Sequence, residues 1–142
     1  MQNAPTRSGI RSLTWNQWLS LYCALAFTVL GIDASMNHHA VFLEYPFSFT
    51  PAIFSPLALA ASLVTAFSSA WRRKAWILAI VAIAVGLAGL AFHNNVNFSE
   101  RGTMTLWETF INSYKPPALA PAAFASTGLL LFLIAWGEYR KK

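Results

Sequence analysis

The chain has few charged residues and almost no cysteine. Only 11% of its 142 residues are Asp, Glu, Lys or Arg, whereas roughly a quarter are charged in an ordinary soluble domain. The single cysteine, Cys23, excludes an internal disulfide, and we expect its thiol to be a small buried apolar group. This composition excludes a disordered tail, a disulfide-stapled secreted domain and a nucleic-acid-binding module, so we expect no nucleic-acid partner.

The signatures of common enzyme sites are also missing. The sequence contains no glycine-rich phosphate loop, no Cys-x-x-Cys pair, no His-Glu-x-x-His pair and no nucleophilic serine elbow. We therefore do not expect the chain to be an enzyme on its own. It could still be a non-catalytic or electron-transfer subunit of a membrane oxidoreductase.

Apolar sequence is abundant instead: 56% of the residues are hydrophobic and 15% are aromatic. A helix needs about 20 apolar residues to cross the hydrocarbon core of a bilayer, and backbone groups in lipid must be satisfied within the segment, which favours helices. The sequence predicts an all-α bundle of four transmembrane helices at 15–37, 51–71, 75–93 and 117–136. These form a single membrane domain over 15–136, with external loops 38–50 and 94–116, an N-terminal segment 1–14 and a basic tail 137–142.

The basic residues predict the orientation of these spans. Eight of the ten Lys and Arg residues fall on one side of the predicted topology, and only Arg101 and Lys115 fall on the other. By the positive-inside rule, both termini are expected in the cytoplasm. We expect a multi-pass protein of a bacterial inner (plasma) membrane, in contact with membrane lipid. The eight residues are Arg7, Arg11, Arg72, Arg73, Lys74, Arg140, Lys141 and Lys142.

The two halves of the sequence resemble each other. Two prolines spaced five residues apart begin the second and the fourth predicted spans, and a Gly-x6-His pattern ends the first and the third. A tandem two-helix repeat keeps the same orientation in each copy, so its pseudo-two-fold axis would lie along the membrane normal. We expect the second proline of each pair to bend its helix. The matching residues are Pro51, Pro56, Pro116 and Pro121, and Gly31, His38, Gly86 and His93.

Ionisable side chains concentrate on the predicted external side. Asp33 lies inside the first apolar run, with Asn37 one turn above it and His38 close to the same line. These three residues could form a polar stripe that faces the interior of the bundle, or Asp33 could reach interfacial water. The ionisable residues on this side are Asp33, His38, His39, Glu44, His93, Glu100 and Glu108.

If the repeat is real, His38 and His93 face each other across its axis. Two facing imidazoles on different helices are how helical bundles hold a b-type haem. With Asp33, His39 or Glu44 added, the same region could bind a divalent metal such as zinc or copper. In a third interpretation, the histidines lie in the membrane interface and satisfy carbonyl groups at helix ends.

The second external loop contains its own structural signal. Thr105 and Glu108 have the spacing of a capping box, with apolar residues around them. We expect a short amphipathic helix on the outer interface, where it could cover the space between His38 and His93.

Three classes of function remain open at this point. The first is a small membrane subunit or anchor that docks other protein subunits, or further copies of itself, through its external face. The second is a redox subunit that holds a haem or a metal ion between His38 and His93 and exchanges electrons with quinone. The third is an oligomeric transporter or metal-handling protein that uses Asp33, His38 and Glu44.

Overall fold

The computed structural model describes residues 12–99, 102–112 and 119–141, and these residues form helices and turns without any strand. Short 3₁₀ turns at His39–Val41 and Pro46–Phe49 lie between the first two helices. The α-helices are α1 (Trp15–His38), α2 (Thr50–Phe67), α3 (Ser69–Ser99), α4 (Leu106–Asn112) and α5 (Ala122–Tyr139).

Four of these helices, α1, α2, α3 and α5, are long and apolar enough to cross a membrane. Large apolar side chains point outward along all four, while the interior is built mainly from small residues such as Ala58, Ala79 and Ala82. This arrangement inverts that of a soluble bundle and is consistent with a multi-pass integral membrane protein. The prediction of an all-helical chain with four such helices is confirmed.

The four long helices pack as two antiparallel pairs. Helix α1 lies mainly along α2, and α3 lies mainly along α5; smaller contacts of α1 with α5 and of α2 with α3 close the bundle. Each pair has a close approach at a glycine. A Cβ atom on Gly31 would lie 2.6 Å from Cβ of Ser55, and one on Gly86 would lie 2.5 Å from the backbone nitrogen of Ala125.

The junction between α2 and α3 differs from the predicted one. The second span was predicted to run to residue 71, but α2 ends at Phe67 and α3 begins at Ser69. Ser68 between them has an extended backbone, and its carbonyl and hydroxyl oxygens accept hydrogen bonds from the first turn of α3. The basic residues 72–74, predicted as a loop, are therefore helical.

The ends of the last two long helices also differ from the prediction. Helix α3 continues to Ser99 instead of ending near His93. Helix α5 begins at Ala122 with Pro121 as its N-cap, so the expected bend at Pro121 inside the helix is wrong; the missing N–H of proline costs nothing before the first turn. Pro56 does lie inside α2, as predicted. Pro116 lies outside the described residues.

Two ends of the bundle are distinguished by their charges. One end, called the basic end below, carries Arg72, Arg73, Lys74, Arg140 and Lys141. The opposite end, called the histidine end, carries His38, His39 and His93, because α1 and α3 run in the same direction. Between the two ends, the core contains three aromatic rings, Phe27, Phe54 and Phe124, with centroids 5.7–6.3 Å apart.

Candidate functional site

The two histidines that end the matching Gly-x6-His patterns of the sequence lie close together in the structure. The imidazole centroids of His38 and His93 are 5.8 Å apart, with an angle of 53° between the ring planes. His38 is the last residue of α1, and His93 lies six residues before Ser99, the last residue of α3. Both side chains are half-buried, so they lie at the edge of the interior of the bundle.

The hydrogen bond of His38 determines which of its ring nitrogens is available. Nδ1 lies 2.8 Å from the backbone oxygen of Ala34. Because a carbonyl oxygen can only accept, Nδ1 carries the hydrogen and donates it, which leaves the lone pair on Nε2. A backbone carbonyl that holds the other ring nitrogen is the usual arrangement for a metal-bound histidine. It is equally an ordinary way to satisfy the end of a helix.

Aromatic stacking fixes the chain next to this histidine pair. The ring of Phe47 stacks on Phe92, with centroids 5.5 Å apart, which connects the first loop to α3 beside His93. Phe42 and Phe49 stack within the same loop at 4.1 Å. The connection between α1 and α2 is therefore held against the bundle at the level of the histidines.

Asp33 and Asn37 do not belong to the interior of this site. Both residues are exposed, and Nδ2 of Asn37 donates to a carboxylate oxygen of Asp33 at 2.9 Å. The expectation of a polar stripe facing the interior is therefore wrong for these two residues. The contact satisfies Asp33 within its own helix, one turn from the histidine end.

The remaining predicted donors lie apart from the histidine pair. His39 is exposed, and its Nδ1 donates to the backbone oxygen of Met36 at 2.6 Å. Glu44 is exposed in the turn between the two 3₁₀ segments. Among the described residues, no group of three or more His, Cys, Asp or Glu side chains converges as a metal site would require. Of the five residues predicted as metal ligands, His38 and His93 are the two whose rings lie together.

The short helix α4 forms where the capping box predicts it. The backbone N–H and the hydroxyl of Thr105 both donate to Oε2 of Glu108 at 2.8 Å, and the N–H of Glu108 donates back to the hydroxyl of Thr105. These bonds to the ionised carboxylate hold the pKa of Glu108 below its ordinary value. Helix α4 packs against α3.

Large apolar side chains are exposed on the connections at the histidine end. Leu43 is 96% exposed and Trp107 is 69% exposed, although neither lies in a long helix. The others on these connections are Tyr45, Phe47 and Leu106. The carboxylates of Glu44 and Glu108 lie among them and are exposed as well. We call this set the apolar cap: Leu43, Tyr45, Phe47, Leu106 and Trp107.

A buried ionic cluster at the basic end was not anticipated from the sequence. Nε of Arg72 lies 3.3 Å from Oε1 of Glu138, and the same oxygen accepts hydrogen bonds from Asn16 and Lys141 at 2.8 and 2.7 Å. Nη1 of Arg72 donates to the backbone oxygens of Thr65 and Ala66. The cluster therefore connects α1, α2, α3 and α5. The one signal in the sequence for this cluster was that Glu138 is the single acidic residue next to the basic residues 140–142.

No protein-family model matches this chain, and no curated protein or solved structure is significantly similar to it.

Proposed function

We propose that this chain is a small integral membrane subunit that docks a partner protein at its histidine end. The apolar cap carries this proposal. Its side chains lie on the connections at the histidine end, and large exposed apolar side chains on such connections are typical of protein or membrane interfaces.

The charge around the cap indicates the chemistry of the partner. Asp33, Glu44 and Glu108 are exposed at this end of the bundle, and the sequence places only two of its ten Lys and Arg residues, Arg101 and Lys115, on the same side. A partner with an apolar centre and a rim of Lys or Arg would complement this surface.

The proposed orientation places the basic end in the cytoplasm of a bacterium and the histidine end outside its inner membrane. The distribution of basic residues supports it. We also propose that the chain is a tandem repeat of two helices. Its support is the packing of α1 with α2 and of α3 with α5, the matching close approaches at Gly31 and Gly86, and the contact of His38 with His93.

Site-specific photo-crosslinking in native membranes tests the docking proposal. A photoreactive phenylalanine analogue at Leu43 or Trp107 should give a protein adduct of defined mass. The same analogue at Leu129, which is exposed in the middle of α5, should give lipid adducts only. Changing Glu44 to Arg should weaken the protein adduct from the two cap positions, because the charge that attracts the partner is reversed while the capping box of α4 is kept.

Two results would contradict the docking proposal. One is a cap adduct made of lipid alone, since the cap would then be an interfacial anchor. The other is the same protein adduct from Leu129 as from Leu43, which would place the contact on the side of the bundle.

The second candidate function is a redox or metal-binding subunit, and the 5.8 Å contact of His38 with His93 favours it. Two imidazoles that share one ion through metal–nitrogen bonds of about 2 Å have ring centres roughly 5 to 6 Å apart. The free Nε2 of His38 is the nitrogen that would bind a transition-metal ion or a haem iron. Such a centre near the membrane surface could exchange electrons with quinone.

The visible absorption spectrum of the purified protein, oxidised and dithionite-reduced, tests this candidate together with elemental analysis. A Soret band or a stoichiometric metal should be present in the wild type and lost in His38→Ala and in His93→Ala. His39→Ala should keep it, because His39 is turned away from the pair. A colourless, metal-free protein, or equal retention in all three variants, would reject the candidate. The elution volume of each variant checks that it is folded.

A further inference from the structure

A groove of about 240 Å³ lies between α3 and α5 at the basic end. Trp76 forms one wall, Phe132, Trp136 and Tyr139 form the other, and Ala135 is the floor. Ala135 is buried, whereas the four aromatic side chains are each roughly half exposed. The groove therefore opens on the outer surface of the bundle, where lipid would lie.

The composition of the groove matches the boundary between lipid tails and headgroups. Tryptophan and tyrosine prefer this level of a bilayer because their rings have an apolar body and a polar edge. The inner part of the groove, at Phe132 and Ala135, is entirely apolar. An acyl chain could lie against these walls while the polar edge of Tyr139 faces the headgroup.

Positive charge stands at the open end of the groove. The guanidinium of Arg140 lies 5.6 Å from the centroid of the Trp136 ring, on the α5 side. Arg73 is exposed one turn before Trp76 on the same side of α3. The adjacent Arg72 already forms an ion pair with Glu138. Glu138 is the one acidic residue in the sequence ranges 69–99 and 122–141, which contain α3 and α5. Arg73 and Arg140 are thus left to attract an anion.

We propose that this groove binds an anionic phospholipid of the surrounding bilayer. One acyl chain lies between Trp76 and Phe132, and the phosphate lies between Arg73 and Arg140. Basic pockets between membrane helices recognise anionic headgroups in this way. This lipid site is independent of the function proposed for the histidine end.

Native mass spectrometry of the detergent-solubilised chain tests the proposal with two lipids of identical acyl chains, phosphatidylglycerol and phosphatidylcholine. The wild type should retain phosphatidylglycerol in preference to phosphatidylcholine. Arg73→Gln and Arg140→Gln should each weaken phosphatidylglycerol binding about fivefold, and the double substitution more, because each basic residue near a membrane surface contributes a comparable factor.

Lys74→Gln is the matched control. It removes the same charge one residue away, but the Lys74 ammonium lies 5.4 Å over the ring of Trp71, on the opposite side of α3 from Trp76. Phosphatidylglycerol binding should therefore stay within twofold of the wild type in this variant. Trp136→Ala, which removes one wall of the groove without changing the charge, should weaken the binding of both lipids.

Three outcomes would overturn the proposal. Equal binding of the two lipids by the wild type would show that the groove does not discriminate between their headgroups. An equal loss in Lys74→Gln and Arg140→Gln would assign the effect to the overall charge of the basic end. A lipid-free dimer that Trp76→Ala separates into monomers would show that a second copy of the chain fills the groove. If the double substitution does not fold, the single substitutions and Trp136→Ala decide the question.

Discussion

Glu138 at the end of α5 forms an ion pair with Arg72 in the first turn of α3, with 3.3 Å between Nε and Oε1. Both side chains are about nine-tenths buried. The guanidinium of Arg72 also covers the last carbonyl groups of α2, while Asn16 of α1 donates to the same carboxylate. One ion pair therefore joins all four long helices at the basic end.

Glu138→Gln should destabilise the protein by about 3 kcal/mol, because removing one partner leaves the buried charge of Arg72 uncompensated. Lys141→Gln is the control: the Lys141 side chain is 58% exposed, and an exposed pair contributes only about 0.5 kcal/mol. Thermal or denaturant-induced unfolding in detergent measures both free energies. Equal effects of the two substitutions would show that burial does not govern this cluster.

Gly86→Ala should weaken the packing of α3 on α5. The new methyl group would meet the backbone nitrogen of Ala125 at 2.5 Å and the backbone oxygen of Pro121 at 2.9 Å, and neither atom can rotate away. We expect a loss of about 1–3 kcal/mol in unfolding free energy.

Gly137→Ala provides the comparison for Gly86→Ala, since both replacements bring the same gain in helix propensity. Its methyl group would meet only the side chain of Asn16, at 3.3 Å. The unfolding free energy should stay within about 1 kcal/mol of the wild type. A greater loss at Gly137 than at Gly86 would contradict the close packing of α3 and α5.

Helix α4 should depend on pH through Glu108. The pKa of this carboxylate is lowered in the folded chain, so ionisation stabilises the capping box above the ordinary pKa of about 4.5, and the stabilisation is lost as the pH falls through the lowered value. Amide hydrogen exchange over 105–112, corrected for its intrinsic pH dependence, should show less protection at acidic pH.

Glu108→Gln separates this effect from general acid unfolding. Glutamine can complete a capping box without titrating, so α4 should keep its protection while its pH dependence disappears. If the substituted protein loses protection at the same pH as the wild type, the carboxylate of Glu108 is not the titrating group.

The proposed orientation predicts the side of the membrane on which each connection lies. A reporter fused after Lys142 should be active in the cytoplasm, and one inserted near Glu100 should be active outside. Replacing Arg72, Arg73 and Lys74 together by Gln should weaken this preference. An external C-terminus would reverse the proposed positions of the histidine pair and the apolar cap.

The sequence predicts the parts of this structure that depend on local composition. Four apolar runs predict four long helices, because each run is long enough to cross a bilayer and a helix satisfies its backbone hydrogen bonds within the run. The capping box predicts α4 for the same reason, since Thr105 and Glu108 bond to each other. The contact of His38 with His93 was expected from the matching Gly-x6-His patterns in the two halves of the sequence, because such a match relates segments that are far apart in the chain.

The features that the sequence did not reveal depend on contacts between distant segments. The sequence assigns Arg72 to a basic loop that sets the membrane topology. In the structure, the turn at Ser68 places Arg72 in α3, beside Glu138. Asp33 interrupts an apolar run, so the sequence left open whether it faces the interior or reaches interfacial water. Its spacing from Asn37 predicts their contact, but the packing of the neighbouring helices decides that both residues are exposed.

The alternation of helix length along the chain has a consequence for the bilayer itself. Helices α1 and α3 have 24 and 31 residues, or about 36 and 46 Å of axis, whereas α2 and α5 have 18 residues each, or about 27 Å. A hydrocarbon layer of about 30 Å is therefore too thick for one helix of every pair and too thin for the other. The long helices can tilt, whereas α2 and α5 favour a locally thinner bilayer. Because mismatch costs only a fraction of a kcal/mol per ångström, the protein should prefer a thin bilayer to a thick sterol-rich one.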